Sequence, residues 1–174
     1  MHYNKEKYEE LFNQFKEELK IKESTQSFKI KLFLEKATNS LLIAKHHKEI
    51  LPNKDQPEKI HWNYWAITIS YYSMLYATKA AILSKGYEVN DHFAAQIALG
   101  YLLVPDKIEK EDLELLDQAH KIFEDEYIKY FSDARTESHT ARYRARPSYT
   151  TRKVDEIISN AAKFVQKIIL ILDL

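Results

Sequence analysis

Glycine is almost absent from this chain, and that scarcity constrains the fold more than any other feature of the sequence. Only 2 of the 174 residues are glycine and 4 are proline, whereas glycine alone averages about 7% of residues in proteins. A β-sandwich or β-barrel needs frequent tight turns, and glycine and proline form many of them. The sequence therefore predicts few turns and long helices.

The amino-acid composition excludes further classes of protein. With 174 residues, of which 45% are hydrophobic, the chain suits one domain with a proper core, residues 1–174. The absence of cysteine excludes disulfides, thiolate metal ligands and cysteine nucleophiles. It also fits a cytoplasmic protein, as does the charged segment 1–10, which lacks the apolar run of a signal peptide. Basic and acidic residues are equal at 26 each, so any charged partner must recognise local charge.

Apolar residues recur at helical spacing in six segments, which predicts an all-α up-and-down bundle of four to five core helices plus an N-terminal helix. The third segment is apolar on most faces and is expected at the centre of the bundle. Its polar residues favour a buried helix over a membrane span. Gly86 is placed to end this helix, and Asn90 or Asp91 to cap the fourth. The six segments are approximately 3–20, 28–51, 57–85, 92–103, 110–132 and 151–172.

The apolar stripes also predict which side chains form the core. In the first helix they are Tyr8, Leu11, Phe12, Phe15 and Leu19. In the second they are Leu32, Phe33, Ala37, Leu41 and Ala44. In the last they are Val154, Ile157, Ile158, Ala161, Phe164, Val165 and Ile168.

All five arginines lie within one short stretch, while the other 21 basic residues are lysine. Arginine confined to one segment suggests that the guanidinium itself is required, because its planar fork binds phosphate or carboxylate through two hydrogen bonds. With Lys153, the stretch 135–153 holds six basic side chains and one acid, Glu137. The five arginines are Arg135, Arg142, Arg144, Arg146 and Arg152.

If the fifth helix continues, Arg135, His139, Arg142 and Tyr143 share one face of it. An imidazole beside guanidinium groups can act as general acid or base while the arginines hold a phosphate. This set suits RNA cleavage by a 2′-hydroxyl route without metal, and it also suits phosphate binding alone. Two other interpretations stay open. The arginines could pair with nearby acids or across a dimer interface, or they could form a solvated face without a role.

Other polar residues are expected to be structural. His92 follows a predicted cap, and we expect it to be a surface residue of a first helical turn. Tyr64, Tyr71, Tyr72 and Tyr76 lie on the central helix and are expected to pack in the core with their hydroxyls toward the rim. Stacking of nucleic-acid bases on these rings is a minor alternative.

A metal-binding bundle is a further alternative. Glu58 and His61 have the Glu-x-x-His spacing of di-iron bundles, and Asp117 and His120 approach it. That class also needs inward carboxylates, and the central helix offers none. We therefore expect neither a metal nor another cofactor.

Three stretches of the sequence resemble one known family. Residues 70–83 with the following Gly86 and Asn90-Asp91-His92 resemble the central helix and turn of HEPN domains. Ala141-Arg142-Tyr143 and residues 160–165 are similar to the end of a small prokaryotic subfamily that often stands beside a minimal nucleotidyltransferase. The resemblance covers about residues 30–172, which leaves 1–27 as an N-terminal helical addition.

The resemblance implies a homodimer that acts on or binds RNA or a nucleotide, with no membrane partner. Many HEPN proteins are metal-independent endoribonucleases, some of them toxins of toxin–antitoxin pairs, whose motif is an arginine followed after four to six residues by a histidine. Here Arg135 and His139 are separated by three residues, with Thr136 as the polar residue after the arginine. Tyr143 is the candidate for modification by a partner nucleotidyltransferase. The alternative is a non-catalytic helical module that dimerises and binds such a nucleotidyltransferase.

Overall fold

The fold was determined as a computed structural model that describes residues 4–49, 62–103, 131–136, 138–139 and 151–173. The prediction of an all-α bundle is confirmed, with the addition of one small sheet. Residues 131–136 and 138–139 are helical and are called here the 131–139 segment. The remaining elements are α1 (Lys5–Glu17), β1 (Ile21–Glu23), α2 (Lys29–Glu49), α3 (Trp62–Ser84), β2 (Tyr87–Val89), α4 (His92–Leu103) and α5 (Thr151–Ile171).

Helix α3 lies at the centre of the bundle, as its apolar sequence predicted. It packs against α2, α4 and α5, and its side chains are buried on most sides. Small residues let the neighbouring helices approach closely. The hydroxyl of Ser73 donates a hydrogen bond of 2.9 Å to the carbonyl of Ala37 on α2. Within the described ranges, no helix combines the length and apolar character that crossing a membrane requires.

The first and last helices bury the faces that the sequence predicted. All seven predicted core positions of α5 are buried. On α1, Tyr8, Phe12 and Phe15 are buried and belong to the same core as α3 and α4. The Phe15 ring meets Phe93 of α4 edge to face at 5.7 Å between centroids. Helix α1 therefore shares the main core with the residues that follow it.

Two predicted core positions are wrong. Leu19 is 64% exposed because α1 ends at Glu17 and Leu19 adopts a left-handed conformation, φ 57°, in the closing turn. Leu32 is 45% exposed, and Leu34 is buried in its place. Leu34 lies three residues before Ala37, almost one turn, so it continues the buried stripe of α2, whereas Leu32 lies well around the helix.

The small sheet was not predicted from the sequence. Strands β1 and β2 pair antiparallel, with Ile21 opposite Val89, and both of these side chains are buried. Each strand has three residues, which is too short for an alternating pattern to stand out. The pairing fastens the chain after α1 to the connection between α3 and α4. Lys29 and Glu88 add an ion pair of 2.8 Å beside it.

Gly86 ends α3 as predicted and provides the first test of the fold. Its φ is +83° and its N–H donates to the Leu83 carbonyl at 2.9 Å. A Cβ there would meet no atom within 4 Å, so the penalty for Gly86→Ala is backbone strain alone. We expect a loss of about 1–2 kcal/mol in the free energy of unfolding by urea. Lys85→Ala, one residue earlier, should stay close to wild type, and equal stability of Gly86→Ala and wild type would contradict the left-handed cap.

Candidate functional site

The 131–139 segment presents one face to the core. Phe131, Ala134 and Ser138 are buried and Arg135 is partly buried, at the i, i+3, i+4 and i+7 spacing of one helical face. Phe131 lies between two helices, because its ring centroid is 5.7 Å from that of Tyr71 on α3 and 6.0 Å from that of Phe164 on α5. Aromatic packing therefore fixes this segment against the core.

Among the described residues, the contact partner of the Arg135 guanidinium is an aromatic ring and not an acid. Its guanidinium carbon lies 5.7 Å from the ring centroid of Phe93, in the first turn of α4, which is cation–π distance. The Nε atom is buried and has no hydrogen-bond partner. No carboxylate among the described residues pairs with Arg135. Leaving a buried donor unsatisfied costs about 1–3 kcal/mol, and none of the described residues supplies an acceptor for this one.

The predicted pair Arg135 and His139 lies on one segment, one helical turn apart. The two side chains sit at different depths, because Arg135 is partly buried and His139 is exposed. Arg152 is exposed in the first turn of α5. The other predicted site residues lie outside the described residues, namely Arg142, Tyr143, Arg144 and Arg146.

Of the acids near Arg135 in the sequence that could pair with an arginine, the structure describes some and not others. Asp133 is exposed and lies on the same segment as Arg135. Glu124, Asp125 and Glu126 lie outside the described residues, as do both members of each possible metal pair, Glu58 with His61 and Asp117 with His120.

The sequence analysis assigned His92 to the surface, and that prediction is wrong. His92 is partly buried, and its Nδ1 lies 2.7 Å from the hydroxyl of Tyr71, which is fully buried. The ring of Tyr72 meets His92 edge to face at 6.1 Å. A buried tyrosine hydroxyl needs a polar partner, and this requirement on the central helix was the signal that could have identified the histidine.

The first turn of α4 connects the histidine–tyrosine pair to Arg135. Asp91 caps the helix, as its carboxylate accepts the backbone N–H groups of Phe93 and Ala94 at 2.9 and 2.8 Å. The turn then directs His92 toward α3 and Phe93 toward the 131–139 segment. One capped turn therefore holds both the ring under Arg135 and the partner of Tyr71.

Comparison with known families assigns the chain. It matches the HEPN domain over residues 58–171. That is well over half of its length, and the chain therefore belongs to the HEPN family. HEPN domains are associated with ribonuclease or nucleotide-related functions and commonly form dimers. The match includes α3, α4, the 131–139 segment and all of α5, which are the elements that build this site. No curated protein matches the chain.

The bond between Tyr71 and His92 should contribute measurably to stability. Tyr71→Phe keeps the ring that packs on Phe131 and removes only the hydroxyl. Because the imidazole loses a buried partner, we expect a loss of about 1 kcal/mol or more in the free energy of unfolding by urea. Tyr87→Phe is the matched control, since no hydrogen bond to a described residue uses its hydroxyl, and it should unfold like wild type. Equal stability of all three proteins would show that the bond contributes nothing.

Proposed function

We propose that this HEPN protein is a homodimer that binds RNA through Arg135 and cleaves it without a metal ion, with His139 as general acid or base. The observation that supports the proposal best is the state of Arg135: a partly buried guanidinium at cation–π distance from Phe93, with a buried Nε that donates to no described residue. Such a group is prepared for an anion that accepts two parallel hydrogen bonds.

Phosphate suits this arginine better than a protein carboxylate does. Elsewhere in the described ranges, basic side chains do pair with acids, as Lys29 does with Glu88 and Lys48 with Asp155. Among the described residues, Arg135 has no such pair. Contact with the Phe93 ring restricts the guanidinium, so less side-chain freedom is lost when it binds. An RNA phosphate would supply the missing acceptors.

The proposed reaction uses the RNA's own 2′-hydroxyl. A base removes its proton, the 2′-oxygen forms a bond to phosphorus, and the bond from phosphorus to the 5′-oxygen breaks. An acid protonates the leaving 5′-oxygen, so the products are a 2′,3′-cyclic phosphate and a 5′-hydroxyl. Imidazole can both accept and donate a proton near neutral pH, and the two copies of His139 in a dimer provide one group for each task. Arg135 stabilises the charge that develops on the phosphoryl oxygens.

Further parts of the proposal follow from the sequence. Arg142, Arg144 and Arg146 extend the phosphate-binding face, and Tyr143 is the residue that a partner nucleotidyltransferase modifies to silence a toxin of this kind. Residues 1–27 form a helical addition to the family fold of residues 30–172. The cysteine-free chain suits action in a reducing cytoplasm.

The spacing of the motif favours a second candidate function. Only three residues separate Arg135 from His139, one fewer than the family's nuclease pattern. A HEPN protein of this kind could keep its dimer and its anion-binding arginine and serve as a non-catalytic module for a nucleotidyltransferase partner. Absence of cleavage together with RNA-independent binding of such a partner would favour this function.

His139→Ala in a metal-free cleavage assay tests the proposal. Wild-type protein in EDTA should cut single-stranded RNA and leave 2′,3′-cyclic phosphate ends. His139→Ala should cut about 100-fold more slowly or worse, the usual range for loss of an acid–base group. His46→Ala removes another exposed imidazole, at the end of α2, and should cut like wild type. Equal cleavage by all three proteins, or none by any, would exclude the catalytic assignment.

A further inference from the structure

A second basic and aromatic group lies away from Arg135, on the face shared by α2 and α3. Lys36 of α2 places its Nζ 5.7 Å from the ring centroid of Tyr76 on α3. Lys79 follows Tyr76 by three residues, so both lie on the same side of α3. Tyr76 and Lys79 are partly buried and Lys36 is exposed. These three residues are called here the lysine–tyrosine cluster.

The positive charge of this cluster is only partly balanced by the described residues. Burial lowers the pKa of Lys79, Glu88 acts against that shift, and the neighbouring charge of Lys36 lowers the pKa further. Glu88 itself is bound to Lys29 at 2.8 Å. No described carboxylate forms an ion pair with Lys36 or Lys79. Two like charges that act on each other, one of them partly buried, favour a bound anion.

A continuous series of ring contacts connects the cluster to the first turn of α4. The ring centroid of Tyr76 is 6.3 Å from that of Tyr72, and Tyr72 is 6.1 Å from His92. His92 is followed by Phe93, which carries Arg135. The ring contacts therefore run from the cluster to His92, and Phe93, the next residue of α4, lies beside Arg135.

We propose that the lysine–tyrosine cluster is a second binding subsite for single-stranded RNA, which stacks a base on Tyr76 and holds the adjoining phosphate between Lys36 and Lys79. This inference rests on the proposed function and extends it, since it gives an RNA strand a second point of contact in addition to Arg135. Only unpaired bases can stack on protein rings in this way, so the substrate is single-stranded.

Charge favours RNA over a second copy of the chain on this face. In a twofold dimer, the same patch of both copies forms the interface. A dimer through this face would therefore bring two further lysines close to two that already repel each other. A polyanion instead relieves the repulsion and releases its own counterions.

Binding measurements with a strand that cannot be cut test the subsite. The probe is a fluorescent single-stranded RNA with 2′-O-methyl groups, which lacks the attacking hydroxyl, and affinity is measured by anisotropy. Tyr76→Leu keeps an apolar side chain but removes the aromatic face, and it should bind about tenfold more weakly or worse. Tyr76→Phe keeps the face and should bind like wild type. The two variants should bind a duplex of the same sequence with equal affinity, because its bases are paired. If Tyr76→Leu lost as much affinity for the duplex as for the single strand, base stacking on Tyr76 would be overturned.

The lysines are tested by the salt dependence of the same binding. Lys36→Ala should reduce the slope of log affinity against log salt by about 0.7, the value for one phosphate contact of a single strand. Lys45→Ala is the matched control, because Lys45 is exposed on the same helix nine residues later, about half a turn around its circumference. It should leave the slope unchanged. Equal slopes for both variants would overturn the phosphate contact.

The outcomes separate this subsite from the proposed active site. If Arg135→Lys binds RNA more weakly and Tyr76→Leu does not, the subsite is overturned and the proposed active site is unaffected. The reverse result supports the subsite and removes Arg135 from RNA binding. Sedimentation of Tyr76→Leu and Lys36→Ala should match wild type. A shift toward monomer with unchanged RNA affinity would overturn the proposal, because the face would then be an interface between copies.

Discussion

The hydroxyl of Tyr71 is the constraint on which the rest of the site depends. It is a polar group on a fully buried side chain at the centre of the bundle, and leaving it without a partner would cost free energy that a small domain cannot easily lose. His92 meets this requirement from the first turn of α4, so α4 must begin against α3. The ring of the same tyrosine also packs on Phe131. This second contact positions the 131–139 segment against α3.

The same arrangement determines the position of Arg135. Asp91 caps α4 and His92 faces Tyr71, so Phe93 points toward the 131–139 segment. There the Arg135 guanidinium lies at cation–π distance from the Phe93 ring. In the part of the chain that the structure describes, the guanidinium is held by contact with an aromatic ring and by no acid. An arginine paired with an acid is already neutralised, and the proposed function uses the unpaired charge of this one. The family's association with RNA and nucleotides is consistent with a phosphate as that ligand.

The sequence predicts some parts of this protein well because their signals are local. The apolar face of α5 is a single stripe, so all seven core positions were predicted correctly, and Gly86 was identified by its position after α3. Apart from Leu19, which lies in the turn that closes α1, the errors concern long-range contacts. Leu32 was misplaced because α2 has apolar residues on several sides, and only packing against α3 decides which side is buried. The two short strands and the His92–Tyr71 bond join residues far apart in sequence, so no local pattern reveals them. The arginine-dense segment was found from composition, but its stacking on Phe93 depends on the tertiary fold.

The most direct measurement of the central claim is the NMR signal of the Arg135 Nε–H group during titration with single-stranded RNA. The chain has only five arginines, and the signal that disappears in Arg135→Lys assigns this one. Because the Nε is buried and bound to no acceptor within the described ranges, we expect a resolved signal that shifts in proportion to bound RNA, while that of the exposed Arg152 moves less. RNA binding that leaves the Arg135 signal in place would contradict the account.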